Sequence, residues 1–138
     1  MNRLDVAAAV VIRGGKLFLA TRQSGSQYGG LWEFPGGKAE PGESLEECII
    51  RELREELAWE VLSAQELGML LQERPGQREL ALHFMRCTVS ADSEPLPQDG
   101  QQARWFSPDE WDSLEMAPLD RKFLEDHRGE MLAWLRQG

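Results

Sequence analysis

Glu52, Glu55 and Glu56 stand three and four residues apart. In a helix turning about 100° per residue they share one arc. Like charges at this spacing repel by roughly a few tenths of a kcal/mol per pair, so the cluster opposes folding unless a cation offsets it. Arg51, four residues before Glu55, offsets part of it. Hard oxygen donors on a rigid element, with no histidine beside them, suit Mg²⁺, with Mn²⁺ as the alternative, and disfavour zinc; such ions keep waters and bridge to phosphate oxygens. Glutamate-rich helical faces are also often merely solvated. The residues upstream favour the metal reading: Gly36-Gly37 and Pro41-Gly42 frame Lys38, and Glu43 stands where a carboxylate caps the helix or reaches the same cation.

The elements that must position these groups are legible. Ser44 with Glu47 three residues later forms a capping box, and Ile49, Leu53 and Leu57 recur every fourth residue, which predicts a helix over 44–57. Leu4 to Ile12 is almost continuously apolar and rich in β-branched residues; a turn at 13–16 and a second extended run at 17–21 make a hairpin. A Gly- and Ser-rich segment, 24–30, reads as a loop able to approach a ligand and leads into short extended pieces at 31–37. Two further strands, 61–72 and 78–89, flank a turn at Arg74-Pro75-Gly76-Gln77. The polar, Pro-rich stretch 90–102 is a loop whose length invites a function, and 103–106 is a short strand. Ser107-Pro108-Asp109-Glu110 signals another capping box, and Pro118 opens one final helix carrying Phe123, Leu124, Met131, Trp134 and Leu135. Strands interspersed with helices argue an α/β or α+β layering of a mixed sheet between helices.

At 138 residues the chain fits one domain spanning 1–138, and 41% apolar with 28% charged residues excludes disordered and fibrous classes. A net charge of −9 leaves no broad basic face for long nucleic acid. No apolar run approaches a membrane span and the start lacks a signal-peptide layout, so no membrane partner and a cytoplasmic location are expected. Cys48 and Cys87 are too few for a disulfide scaffold and too far apart for a paired metal motif; both read as reduced, half-buried fillers. Neither His83 nor His127 receives a role, and nothing speaks to oligomeric state.

The segment from Gly37 to Trp59, GKAEPGESLEECIIRELREELAW, has the spacing G-x5-E-x7-R-E-U-x-E-E-x-(G)-U, with U a bulky apolar residue. It resembles the Nudix hydrolase signature. One position departs: the glycine expected near the helix end is Ala58. If the backbone there is left-handed, its methyl group costs about 1 kcal/mol. The run Leu31-Trp32-Glu33-Phe34-Pro35-Gly36-Gly37-Lys38 extends the likeness to the MutT branch and its relatives that hydrolyse cytidine nucleotides.

The resemblance implies a Nudix-type α/β/α sandwich with a mixed β-sheet. It also implies divalent-cation-dependent hydrolysis of a small-molecule nucleotide, with nucleoside triphosphates such as 8-oxo-dGTP cleaved to monophosphate and pyrophosphate. The alternatives are CTP or a modified cytidine nucleotide, another nucleoside diphosphate derivative, or a sensing module without turnover. That last would be marked by lost carboxylates, and here all are present. By resemblance Glu52, Glu55 and Glu56 are metal ligands, with Gly37 helping through its backbone. Arg51 orients the carboxylates, and Glu43 is its partner or an auxiliary ligand. Glu55 and Asp99 are both candidates for the base that activates water. Arg22 contacts the nucleotide, Lys38 meets phosphate, and Asp120 stands where MutT carries a base-pairing asparagine. An ionised Asp only accepts, whereas Asn also donates; Asp120 read locally is simply an acid in the first turn of a helix. Trp32, Leu82, Phe84 and Trp105 are candidates to stack on or wall a base, although aromatics beside strands also fill cores.

Overall fold

The computed structural model describes residues 3–22, 29–98 and 100–137. Strand β1 (Leu4–Arg13) returns antiparallel into β2 (Lys16–Thr21) through Gly14 and Gly15. Both glycines have positive φ, 59° and 74°, as a two-residue hairpin turn with the right twist requires. Short strands β3 (Trp32–Glu33) and β4 (Gly36–Lys38) follow, then helix α1 (Leu45–Leu57) and the long strands β5 (Val61–Gln72) and β6 (Leu80–Val89). Strand β7 (Ala103–Phe106), a 3-10 helix (Pro108–Ser113) and helices α2 (Pro118–Asp126) and α3 (Arg128–Gln137) complete the chain.

The sheet order is β3-β2-β1-β6-β5, with β4 on β1 and β7 on β2. Only the β1–β6 pairing among these strands is parallel, so the sheet is mixed. One edge of β1 is shared: β4 pairs with Val6 to Ala8, and β2 with Ile12 and Arg13. The two partners diverge between these stretches, and the resulting fork forms one side of the cleft described below.

Strand β1 is apolar from Val6 to Ile12, where both of its faces are covered. Ala7, Ala9 and Val11 pack with Ile49, Leu53 and Leu57 of α1, together with Phe18 and Trp59. Ala8 and Val10 belong to the opposite core with Phe84, Phe123, Leu124 and Met131, under α2 and α3. The result is the expected α/β/α sandwich.

The predicted caps of α1 are present. Ser44 Oγ accepts from the Glu47 amide at 3.0 Å, and the Glu47 carboxylate accepts from the Ser44 amide at 2.9 Å. At the other end Ala58 adopts φ 53°, ψ 38°, the left-handed conformation that favours glycine. The buried Trp59 indole, whose Nε1 donates to Ser93 Oγ at 2.9 Å, anchors the exit.

Three expectations are corrected. The single final helix is two, because His127 leaves helical geometry at φ −113°, ψ 17° and stacks its ring on Phe123. The helix signalled at 107–110 is a short 3-10 turn, in which Glu110 accepts from the Ser107 amide at 2.9 Å. Cys48 and Cys87 are fully rather than half buried, and burial pushes their thiols up to about 11 and about 12. Such thiols stay protonated and unreactive. Among the described residues no helix is long and apolar enough to cross a membrane.

Candidate active site

Arg51 is the hub of the charged face of α1. Its Nε and Nη2 grip the two oxygens of Glu43 at 2.7 and 2.9 Å, a bidentate pair. Nη1 reaches Glu52 at 2.8 Å and Glu55 at 3.3 Å, and Nη2 also donates to the Lys38 carbonyl at 3.0 Å. The guanidinium thus offsets more of the acidic cluster than the single i,i+4 pairing in the sequence suggested. Its hydrogen bonds hold the Glu43 carboxyl down at about 2, and Glu43 in turn raises Arg51 above its ordinary range.

The β1–β4 pairing brings the glycine pair against this face. Val6, Ala7 and Ala8 sit opposite Lys38, Gly37 and Gly36. A Cβ at Gly37 would lie 2.5 Å from Glu52 Oε2, and one at Gly36 would collide with the Ala7 carbonyl. Glycine is therefore the residue that leaves the Glu52 carboxylate room. Glu56, two residues before the C-cap Ala58, lines the adjoining cleft with Gly37 and Lys38.

The donor set of Glu52, Glu55 and Glu56, all carboxylate oxygens beside a Gly37 that carries no side chain, fits a hard divalent cation. Among the described residues no three His, Cys, Asp or Glu side chains are drawn together tightly enough to hold an ion, because Glu52 and Glu55 lean on Arg51.

The cleft has a volume of about 430 Å³ and runs along the fork of β1. Its far wall carries Arg22, Glu33, Phe34 and Asp120. Asp120, in the first turn of α2, is 5% exposed, and its Oδ2 accepts from the Phe34 amide at 3.0 Å. Burial, aided by the nearby Glu33 charge, pushes its carboxyl up to about 7; the Phe34 amide and Arg22 pull the other way. Glu33 is also raised by burial, against the opposing charge of Arg22, whose Nη1 lies 2.7 Å from Glu33 Oε1.

Several predicted site residues therefore gather here: Gly37, Lys38, Glu56, Arg22, Asp120 and Leu82 share one cleft. Two do not. Phe84 is fully buried and stacks on Phe123 at 3.9 Å, supporting Phe34 from behind, and it does not line the cleft. Trp32 packs edge-on against Phe106 at 4.8 Å and bridges to Met116, so it too is spent on the core side. Trp105 likewise packs edge-on against Phe18 and Trp59. Asp99, like most of the Gly- and Ser-rich segment, lies outside the described residues.

The sequence reading missed Glu33, Arg74 and Gln101, which also line the cleft. Glu33 alone had a signal, since it sits within the Trp32-to-Lys38 run; the others come from turns and loops whose approach depends on strand order. His83 bonds Glu66 through Nδ1 at 2.7 Å and Asp5 through Nε2 at 2.8 Å, away from the cleft lining, which gives that histidine a structural partner set.

Comparison with known proteins agrees with this fold. The family described as the NUDIX domain matches residues 2–127. The CTP pyrophosphohydrolase of Escherichia coli is 37% identical over 126 residues, 91% of each chain. The 8-oxo-dGTP diphosphatase of Haemophilus influenzae is 29% identical over 125 residues, 89% of this chain and 90% of the relative. Among solved structures, the E. coli ORF135 protein superposes with a TM-score of 0.81 at 36% identity, covering 96% of this chain and 94% of that one. MutT from Aliivibrio salmonicida and Vibrio cholerae gives 0.74 at 28%, covering 91% and 96%. With its signature helix, its glycine strand and its cleft joined in one sandwich, the chain belongs to the Nudix hydrolase family.

Proposed function

We propose that this single-domain protein hydrolyses (deoxy)nucleoside triphosphates to nucleoside monophosphate and pyrophosphate with Mg²⁺, acting on oxidised nucleotides such as 8-oxo-dGTP. The observation that carries the reading is the junction of the acidic face of α1 with a cleft ending in the buried carboxyl of Asp120. Phosphates belong at the Glu56, Gly37 and Lys38 end, and the base at the Phe34 and Asp120 end.

Glu52, Glu55 and Glu56 would hold the cation, and Arg51, gripped by Glu43, fixes where the Glu52 and Glu55 carboxylates stand. The chemistry a divalent ion supplies when bound is neutralisation of polyphosphate charge and acidification of water for in-line attack at phosphorus. Lys38 adds a positive charge beside the phosphates. Glu55 and Asp99 are the two candidates to take the proton from water, and separate Glu55→Gln and Asp99→Asn variants tell them apart by which one loses turnover while keeping substrate affinity.

Base reading falls to Asp120. With one oxygen engaged by the Phe34 amide, its carboxylate still accepts from the N1–H and 2-amino edge of an oxidised guanine, and when protonated it donates as well. A second reading, cytidine triphosphate, is supported by the E. coli relative's similarity along nearly its whole length; the same carboxylate would accept from the cytosine amino group.

Product analysis on a nucleotide panel that includes 8-oxo-dGTP, dGTP, CTP and dCTP, with Mg²⁺, tests both. The expected products are monophosphate and pyrophosphate. Release of orthophosphate, or no turnover of any of these nucleotides, overturns the reading.

A further inference from the structure

The loop between β6 and β7 is fastened at both ends. Arg13 Nη1 donates to the Ser93 carbonyl at 2.7 Å, and its guanidinium lies over the Trp105 ring at 4.6 Å. Pro95 and Pro97 have no amide hydrogen, and the alternating residues spend theirs on the end of α1: Leu96 donates to the Leu57 carbonyl at 2.7 Å and Gln98 to the Glu56 carbonyl at 2.9 Å. At the other end the buried Thr21 receives Gln102. The Thr21 amide donates to the Gln102 carbonyl at 2.9 Å, and the Gln102 amide donates to Thr21 Oγ1 at 3.0 Å.

Between these fastenings sits Gln101, which lines the cleft and whose Nε2 donates to the Thr21 carbonyl at 2.9 Å. Three residues earlier the loop is bonded to the backbone of Glu56, at the phosphate end. One residue later it is bonded to Thr21, whose neighbour Ala20 pairs with Glu33 at the base end. The part of a nucleotide that spans phosphates and base is its sugar. A carboxamide that has used one N–H retains a donor and an acceptor, which matches a hydroxyl group.

We propose that Gln101, held by its bond to the Thr21 carbonyl and by the Thr21–Gln102 clasp, hydrogen-bonds the 3′-hydroxyl of the nucleotide sugar. This is the hydroxyl shared by ribo- and deoxyribonucleotides, and the assignment rests on the nucleoside triphosphate reading above. Gln101 is then a specificity-determining residue, and Thr21 a positioning residue that acts through it.

The test is a cycle of protein and substrate changes. Wild type, Gln101→Ala, Thr21→Val and Thr21→Ser are assayed with Mg²⁺ on CTP and 8-oxo-dGTP and on the counterparts lacking the 3′-hydroxyl, after thermal melts establish that each variant is folded. Losing one neutral hydrogen bond is expected to lower wild-type kcat/KM about fivefold on the 3′-deoxy substrate, mainly through KM. Gln101→Ala should lose the same factor on the parent nucleotide and nothing further on the 3′-deoxy one, because both changes remove one contact. Thr21→Val should follow Gln101→Ala, and Thr21→Ser should restore the parent value. If Thr21→Val does not fold, the Gln101→Ala cycle decides alone. Losses that multiply independently, or a KM unchanged in Gln101→Ala, overturn this assignment and leave the nucleotide reading standing. If wild type neither hydrolyses these nucleotides nor binds an α,β-methylene CTP analogue by calorimetry, the nucleotide reading falls and this assignment falls with it.

Discussion

Gly37 and Glu52 face each other across the gap between β4 and α1 with no room for a side chain, since a Cβ at Gly37 would lie 2.5 Å from Glu52 Oε2. Gly37→Ala is therefore expected to displace the Glu52 carboxylate and lower kcat by about tenfold or more, while the fold survives. Gly36→Ala is the contrasting variant. Its methyl group meets the Ala7 backbone rather than a movable side chain, so it should destabilise the protein by about 1–3 kcal/mol. Paired kinetics and thermal melts distinguish the two; a Gly37→Ala enzyme with unchanged kcat would remove Glu52 from the site.

Glu56 lines the cleft, whereas Glu55 is 60% exposed on its side chain and held loosely by Arg51. Glu56→Gln and Glu52→Gln should each reduce turnover by about 100-fold or more, with helical circular dichroism retained. Millimolar Mg²⁺ should raise the melting temperature of the wild type and raise it less in both variants. Equal Mg²⁺ shifts in all three proteins would separate these carboxylates from the cation.

Asp120 gives the protein a pH-dependent weakness. Its folded carboxyl lies near 7, above the ordinary unfolded value of 3.8, so the folded state favours the neutral form. The stability it contributes is fully present below about pH 4 and declines until the pH passes about 7, beyond which the loss is constant. Asp120→Asn is expected to be more stable than the wild type at pH 8, by a margin that shrinks as the pH is lowered toward 4. Melting curves across this range check it; a margin independent of pH would mean that Asp120 does not titrate there. The same variant should change the ranking of bases more than the overall rate.

Ala58 holds a left-handed backbone at φ 53°. Ala58→Gly removes the steric conflict and should stabilise the protein by about 1 kcal/mol with activity intact. Chemical denaturation would detect this as a higher midpoint at an unchanged slope.

Much of this arrangement is written locally and was readable there. The capping box at Ser44, the fourfold apolar spacing of α1 and the paired glycines of the β1–β2 turn each depend on contacts within a few residues. So did the left-handed end at Ala58, anticipated from one departure in a spaced motif. What the sequence did not disclose depends on contacts between distant segments. Periodicity shows that β1 is buried on both faces, but not that β6 is its parallel neighbour. Phe84 and Leu82 differ by two positions on one strand, yet one stacks within the core and the other borders the cleft, because Phe123 covers the first. Trp32 looked available beside its glycines until Phe106 and Met116 were brought against it. The break at His127 followed no proline and had no loud local mark; the residue is held by its stacking on Phe123.

The fork at β1, where β4 and β2 take successive turns along one edge, means that the nucleotide-sized hollow is dug into the hydrogen-bonded lattice itself. A guest arriving there finds its berth already excavated. Capture should then need little reshaping of that edge, whereas the α1 carboxylates leaning on Arg51 must shift to close on a cation.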